Sequence, residues 1–240
     1  IGYVDGEGRG RNGVEQKFDN ILREKVQNIK HFKNPNGRKG REKEEIDKRT
    51  LNGTDIELTI DVEIQKILQN QLVQGLEKSG GKSANGIIID PFTGEILAMA
   101  TVPSYNPNSY RMFEPSTFIN NVISKQYEPG STYKAVTLAA ALQDGYDIEE
   151  TSFDCENGTY RLPGTNRKIR DHEEHEKLSI EEIIIHSSNI GVAKLVSEMT
   201  DQKIFTLAKK FGIGASTGIR LPNESKGKIN KRIRIEILNN

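Results

Sequence analysis

The chain has 240 residues, 34% of them apolar, enough for one large domain or one domain with part of another. Lys plus Arg and Asp plus Glu each number 34, so the net charge is zero, and the basic excess that a general nucleic-acid binder needs to displace counterions is missing. A single Cys excludes an internal disulfide framework and a Cys-rich metal site, and no apolar run approaches the roughly 18 to 20 residues that span a bilayer.

The first residue is Ile1 rather than Met and no signal-like segment follows it, so the chain is expected to be a fragment or a processed product. Residues 1–54 are polar and irregular. Val14, Phe18, Ile21 and Leu22 share one face of a short helix expected over Val14–Glu24. The charged stretch from Arg38 to Thr50 reads as a solvated linker or hairpin. From Asp55 the pattern sharpens. Ile56, Leu58 and Ile60 alternate with polar residues, as in a strand. Asp61 is a good N-cap, and Ile64, Leu68, Leu72 and Leu76 form the stripe of a four-turn helix ended by Gly80 and Gly81. Gly86–Asp90 and Glu95–Thr101, joined by a Pro-Phe-Thr-Gly turn, predict a hairpin, so a helix packed on an antiparallel pair is expected. At the far end, alternation over Arg232–Ile237 suggests a short edge strand.

A helix expected to start at Ser131 carries the apolar run Ala135–Leu142, which calls for burial in a domain interior. Its first turn holds Ser131 and Lys134, which at i and i+3 share a face. Burial and the positive end of the helix dipole both lower a lysine pKa. A partly neutral amine can take the proton of a neighbouring hydroxyl, and first-turn N–H groups can face a developing oxyanion. The same letters, taken alone, also describe an N-cap serine followed by a surface lysine. Further on, Ser179 and Glu182 make a capping box for a helix through Ile185. His186-Ser187-Ser188-Asn189 then lies between two apolar helical patterns, where Ser188 or Asn189 could also act simply as a cap.

These residues resemble a known family. Tyr127-Glu128-Pro129-Gly130-Ser131-Thr132-Tyr133-Lys134 is similar to the Ser-x-x-Lys segment of class B penicillin-binding proteins, and Ser187-Ser188-Asn189 to their Ser-x-Asn segment. Leu58-Thr59-Ile60-Asp61, Asp90-Pro91 with Thr93–Ala100, and Asn12-Gly13-Val14-Glu15 resemble other family segments in the same order, over roughly residues 8 to 227. The Tyr-Glu-Pro-Gly form resembles division-type and sporulation-type members. The resemblance implies an α+β penicillin-binding-protein/β-lactamase-like transpeptidase fold, incomplete at its C-terminus. Residues 1–54 would end a pedestal domain and linker, and 55–240 would form part of the transpeptidase domain.

The implied activity is that of a peptidoglycan D,D-transpeptidase. Ser131 would be the nucleophile, Lys134 the general base, Ser187 a proton relay, and Asn189 a group that binds the substrate amide and helps hold Lys134. The implied partners are peptidoglycan stem peptides, penicillin and other β-lactams, a membrane glycosyltransferase and division proteins, with no nucleic acid. The implied location is the inner membrane, with the catalytic domain on the periplasmic or extracytoplasmic side. No metal or cofactor is implied. Alternative readings are a β-lactamase or β-lactam sensor, which Ser-Thr-Tyr-Lys also suits, and a catalytically inactive division scaffold.

One family motif, Lys-(Thr/Ser)-Gly, does not follow Asn189 in this sequence. Lys78-Ser79-Gly80 fits its letters but precedes Ser131 and reads as a helix end. The chain alone is therefore expected to acylate weakly or not at all, and strong, stable labelling of Ser131 by a fluorescent penicillin would contradict that. Asp171–Glu176 looks metal-like, but its His-Glu-Glu-His core is one residue short of the metalloprotease spacings and reads as a polar loop. Arg170-Asp171-His172 is similar to a stretch in division-type members. Asp154–Arg170 reads as a loop or hairpin. Cys155, in a polar segment, reads as incidental.

Overall fold

The structure, a computed structural model, describes residues 1–23 and 52–229. The charged stretch from Arg38 to Thr50 and the edge strand expected over Arg232–Ile237 lie outside the described residues. The chain divides into two compact units, Ile1–Lys125 with Ile219–Glu224, and Gln126–Gly218 with the stretch from Ser225 onward.

The first unit opens with a small antiparallel pair, β1 (Tyr3–Val4) and β2 (Gly10–Arg11). Two short helices follow, α1 (Gly13–Lys17) and α2 (Asp19–Leu22), where the sequence suggests one. The break falls at Phe18, whose ψ of 19° leaves the helical region. There the Asp19 carboxylate turns away to accept the Gly10 N–H at 2.7 Å.

The main body of this unit is α3 (Val62–Ser79) laid on a hairpin of β3 (Ala84–Ile89) and β4 (Ile96–Val102). Asp61 caps α3 by accepting from the N–H groups of Glu63 and Ile64, both at 2.9 Å. Gly80 ends it in the left-handed region at φ 64°, as the Lys78-Ser79-Gly80 reading expects. Helix and strand come close at Gly86, where a Cβ would stand 2.7 Å from Leu68 Cδ1. The hairpin turn is tied by Asp90, whose Oδ1 accepts from Phe92 N at 2.7 Å and Thr93 N at 3.2 Å.

The strand expected over Ile56–Ile60 does not form. That stretch reaches β4 only at its end, through Thr59 Oγ1 to Ile96 O at 2.7 Å and Asp61 N to Leu97 O at 2.9 Å. The next place on that edge is taken by a side chain. The Gln65 amide accepts from Met99 N at 2.8 Å and donates to Met99 O at 2.9 Å, so it occupies the ladder positions a strand would use. A short helix, α4 (Asn121–Ser124), also packs on this hairpin.

The second unit is built around α5 (Lys134–Gln143), entered by a 3-10 turn over Gly130–Tyr133. Ser131 therefore lies in that turn, one turn before the α-helix proper. Downstream come β5 (Ser152–Asp154), the hairpin β6 (Thr159–Arg161) and β7 (Lys168–Arg170), then β8 (Lys177–Ser179), which pairs back with β5. Three helices close the unit, α6 (Ile180–Ile185), α7 (Asn189–Glu198) and α8 (Asp201–Lys210). The Ser179/Glu182 capping box is present in full at the start of α6. Ile180, Ile183, Ile190, Leu195 and Ile204 are fully buried and form the core with Ala141. Contrary to the all-round burial its sequence suggests, α5 buries only one face, with Val136, Ala140 and Ala141 inside and Ala135 and Leu142 exposed. Among the described residues, the helices that pack most on it are α8, α6 and α7.

Cys155 also departs from its reading in the sequence. The residues around it are polar, yet its side chain belongs to the core and is fully buried. Its Sγ lies 3.6 Å from Ser188 Oγ, and burial pushes the thiol above its usual pKa.

Helices α6 and α7 meet at Gly191. A Cβ there would fall 2.4 Å from Ile183 Cγ1 and 2.6 Å from its Cδ1. Ile183 is itself fully buried, and in a close-packed core it gives way only by displacing its neighbours. Gly191→Ala is expected to lower stability by about 1–3 kcal/mol through overpacking. Chemical denaturation measures it, and a loss under about 0.5 kcal/mol, the range of a neutral surface change, would contradict this packing.

Candidate active site

The site grows out of the turn between α6 and α7. Helix α6 ends in a Schellman arrangement, in which Ser188 N donates to Ile183 O at 2.9 Å and Ser187 N to Ile184 O at 3.2 Å. That motif requires a left-handed residue, usually Gly, just past the helix. Here it is Ser187, at φ 53°. Only Gly adopts this conformation without steric cost, so the hydroxyl is held where backbone economy alone would put no side chain. The next residue, Ser188, caps α7 by accepting from Gly191 N at 2.9 Å.

The turn faces Lys134, the first residue of α5. Lys134 is only 9% exposed, and its Nζ makes three hydrogen bonds, all to the turn. These go to Ser187 O at 2.6 Å, Ser187 Oγ at 3.0 Å and Asn189 Oδ1 at 2.9 Å. Ser187 Oγ in turn lies 3.1 Å from Ser131 Oγ. The four side chains singled out in the sequence therefore form one hydrogen-bonded line, Ser131–Ser187–Lys134–Asn189. Ser131 itself is exposed, and Lys134 reaches it through Ser187. Burial lowers the Lys134 pKa, and the nearby Asp171 charge offsets part of that shift.

Asp171 holds the turn in place. Its carboxylate accepts from Ser188 Oγ at 2.5 Å, Asn189 N at 2.5 Å and Ile190 N at 3.0 Å. It thus satisfies free N–H groups at the start of α7, where a negative charge also meets the positive end of the helix. Asn189 Nδ2 donates to Arg170 O at 3.1 Å. This fixes the amide so that its oxygen points at Lys134. The sequence gives Asp171 no role. Its only signal is the Arg170-Asp171-His172 resemblance, because the 18 residues separating Asp171 from Asn189 are bridged only in three dimensions.

Comparison with known proteins agrees with this architecture. Residues 85–240 match the penicillin binding protein transpeptidase domain. The chain belongs to the penicillin-binding-protein transpeptidase family. The peptidoglycan D,D-transpeptidase FtsI of Buchnera aphidicola is 32% identical over 238 residues, 99% of this chain and 41% of that protein. Stage V sporulation protein D of Bacillus subtilis is 28% identical over 229 residues, 95% of this chain and 35% of that protein. The structure of penicillin-binding protein 3 from Mycobacterium tuberculosis, complexed with ampicillin, superposes with a TM-score of 0.77 at 25% identity, covering 96% of this chain and 47% of that one. The chain thus spans 35–41% of the length of these curated transpeptidase-family relatives. Among the described residues, no helix of this domain is long and apolar enough to cross a membrane.

Proposed function

We propose that the gene product containing these residues is a peptidoglycan D,D-transpeptidase of the class B type, with Ser131 as its nucleophile. The observation that carries this reading is the unbroken line from Ser131 through Ser187 to a buried lysine whose pKa is lowered.

Hydroxyl protons rotate, so the line runs in either direction. With Lys134 neutral, its lone pair accepts the Ser187 proton while Ser187 accepts the Ser131 proton. Its two remaining N–H groups stay on Ser187 O and Asn189 Oδ1. Ser131 Oγ then attacks the carbonyl carbon of the D-Ala–D-Ala bond, its proton passing to Ser187 as the Ser187 proton passes to Lys134. When the tetrahedral adduct collapses, the C–N bond breaks and the proton returns through Ser187 to the departing D-alanine amine. This leaves an acyl ester on Ser131. The amine of a second stem peptide attacks that ester and gives up a proton to Lys134 along the same line; the ester C–O bond then breaks, the proton returns to Ser131 Oγ, and the new amide bond is the cross-link. A β-lactam enters as a donor mimic and leaves Ser131 acylated.

On this reading residues 1–54 end a pedestal domain, and the substrate lies in the cell wall, on the periplasmic or extracytoplasmic side of the membrane. A membrane glycosyltransferase would supply the glycan strands, and division proteins would be the assembly partners. The test is to incubate the purified gene product with disaccharide–pentapeptide strands. Release of D-alanine together with cross-linked peptide, both lost in Ser131→Ala, is the expected result. A folded protein that releases no D-alanine and takes up no penicillin would overturn it in favour of an inactive scaffold. Rapid turnover of penicillin to its hydrolysed form would overturn it in favour of a β-lactamase.

A further inference from the structure

A second cluster of chemically capable side chains lies behind the turn that carries Ser187. Glu173 and His175 sit in the segment between β7 and β8, and His186 closes α6. Their donor atoms all lie within 4.8 Å of one another. One oxygen serves both rings, since Glu173 Oε2 is 3.4 Å from His175 Nε2 and 3.5 Å from His186 Nδ1. The two imidazoles stand side by side, with ring centroids 4.4 Å apart.

Two of these spacings are those of a coordination shell. In tetrahedral geometry with ligand bonds of about 2.0–2.1 Å, neighbouring donors are about 3.3–3.4 Å apart. Both oxygen-to-nitrogen edges of the triangle are close to that length before any ion enters. His175 Nε2 is shut off from solvent, and the Glu173 oxygen does not complete a hydrogen bond to it. A buried ring nitrogen left this way is unfavourable, and coordination to a metal ion would satisfy it.

We propose that Glu173, His175 and His186 bind one zinc-class divalent cation, with the fourth position open to water. Two imidazoles and one carboxylate suit borderline ions of the zinc type rather than calcium or magnesium, which take all-oxygen shells. The His-Glu-Glu-His run contributes only Glu173 and His175. Its first histidine, His172, is not part of the group, and the third ligand comes from another element, so spacing within the run could not reveal the site. Bound metal would fasten the segment after Asp171 to the residue before Ser187, adding a second tie to the one Asp171 already makes. The inference rests on this geometry alone and not on the acyl-transfer reading.

The test is titration of the untagged, chelator-stripped protein with Co²⁺. One equivalent is expected to produce the visible bands of four-coordinate cobalt, and Zn²⁺ is expected to abolish them by displacement and to raise the melting temperature. His175→Ala, His186→Ala and the nearly isosteric, surface change Glu173→Gln should each weaken binding more than about tenfold, since even outer-shell changes cost about 10–100-fold. His172→Ala should bind as the parent does. Glu173→Gln removes only an exposed charge, so it reports on binding even where a histidine variant folds poorly. Absence of stoichiometric binding by the parent would overturn the assignment and leave a histidine–carboxylate contact. Binding that survives Glu173→Gln, or that depends on His172, would overturn it too.

Discussion

Asp171→Ala is expected to cost about 2–4 kcal/mol of stability and to cut the rate of Ser131 acylation in the gene product by about 100-fold. The stability figure follows from the three hydrogen bonds the carboxylate accepts from Ser188, Asn189 and Ile190, because bonds to a charged group are each worth about 1.5–3 kcal/mol and their losses overlap. The rate figure follows from position. Those bonds fix the backbone that carries Ser187 and Asn189, and a displacement of about 1 Å in a catalytic group costs about 100-fold.

Asp171→Asn separates charge from scaffold through its pH profile. Burial holds the Lys134 pKa down and Asp171 pulls it back up, so removing the charge lowers it further. In the proposed mechanism Lys134 acts as a neutral base, so the rising limb of the acylation–pH profile is expected to report this pKa. The expected result is a limb shifted to lower pH in Asp171→Asn. An unshifted limb would show that the Asp171 charge does not act on Lys134. The same shift has a stability sign. A lysine pKa lower in the folded state than unfolded means the unfolded chain binds more protons between the two values. Stability therefore rises with pH across that window, from the lowered folded pKa up to the ordinary value of 10.5.

Ser187→Gly is expected to separate folding from chemistry. The residue sits at φ 53°, in the C′ position of a Schellman motif where Gly is favoured, and a non-Gly residue there costs about 1–2 kcal/mol. Thermal and chemical denaturation should show the variant equal to or more stable than the parent. Its acylation rate should nevertheless fall by about 100-fold or more, the usual contribution of a positioned proton-transfer group, since the hydroxyl that joins Ser131 to Lys134 is gone. Retained acylation in a stabilised variant would mean that Lys134 reaches Ser131 by another route.

The features of this domain that are legible in the sequence are those decided by neighbours a few residues apart. Asp61 and the Ser179/Glu182 capping box act within one helical turn, and the β3–β4 hairpin is set by Asp90, Pro91 and Gly94. Ser131 and Lys134 are three residues apart, so one helical turn aligns them. The mismatches come from long-range competition. Ile56–Ile60 alternates like a strand, yet the β4 edge it would pair with is occupied by the Gln65 amide 34 residues from Met99 in sequence. Cys155 looks incidental among polar neighbours and is drawn into the core because β5 pairs with β8 beside it. Asp171 and His186 lie in stretches the sequence singles out, Arg170-Asp171-His172 and His186–Asn189, but their partners are brought near only by the α6–α7 turn, so neither stretch shows what its residue contacts. The placement of Ser187 and Asn189 on Lys134 is legible only through the family resemblance, since 53 and 55 residues separate them.

The most direct measurement is to react the purified gene product with a penicillin, digest it and locate the adduct by mass spectrometry. The account expects one acyl group per molecule, on the peptide bearing Ser131, and none in a folded Lys134→Ala variant. An adduct on another residue, or full acylation of Ser131 without the Lys134 amine, would contradict it.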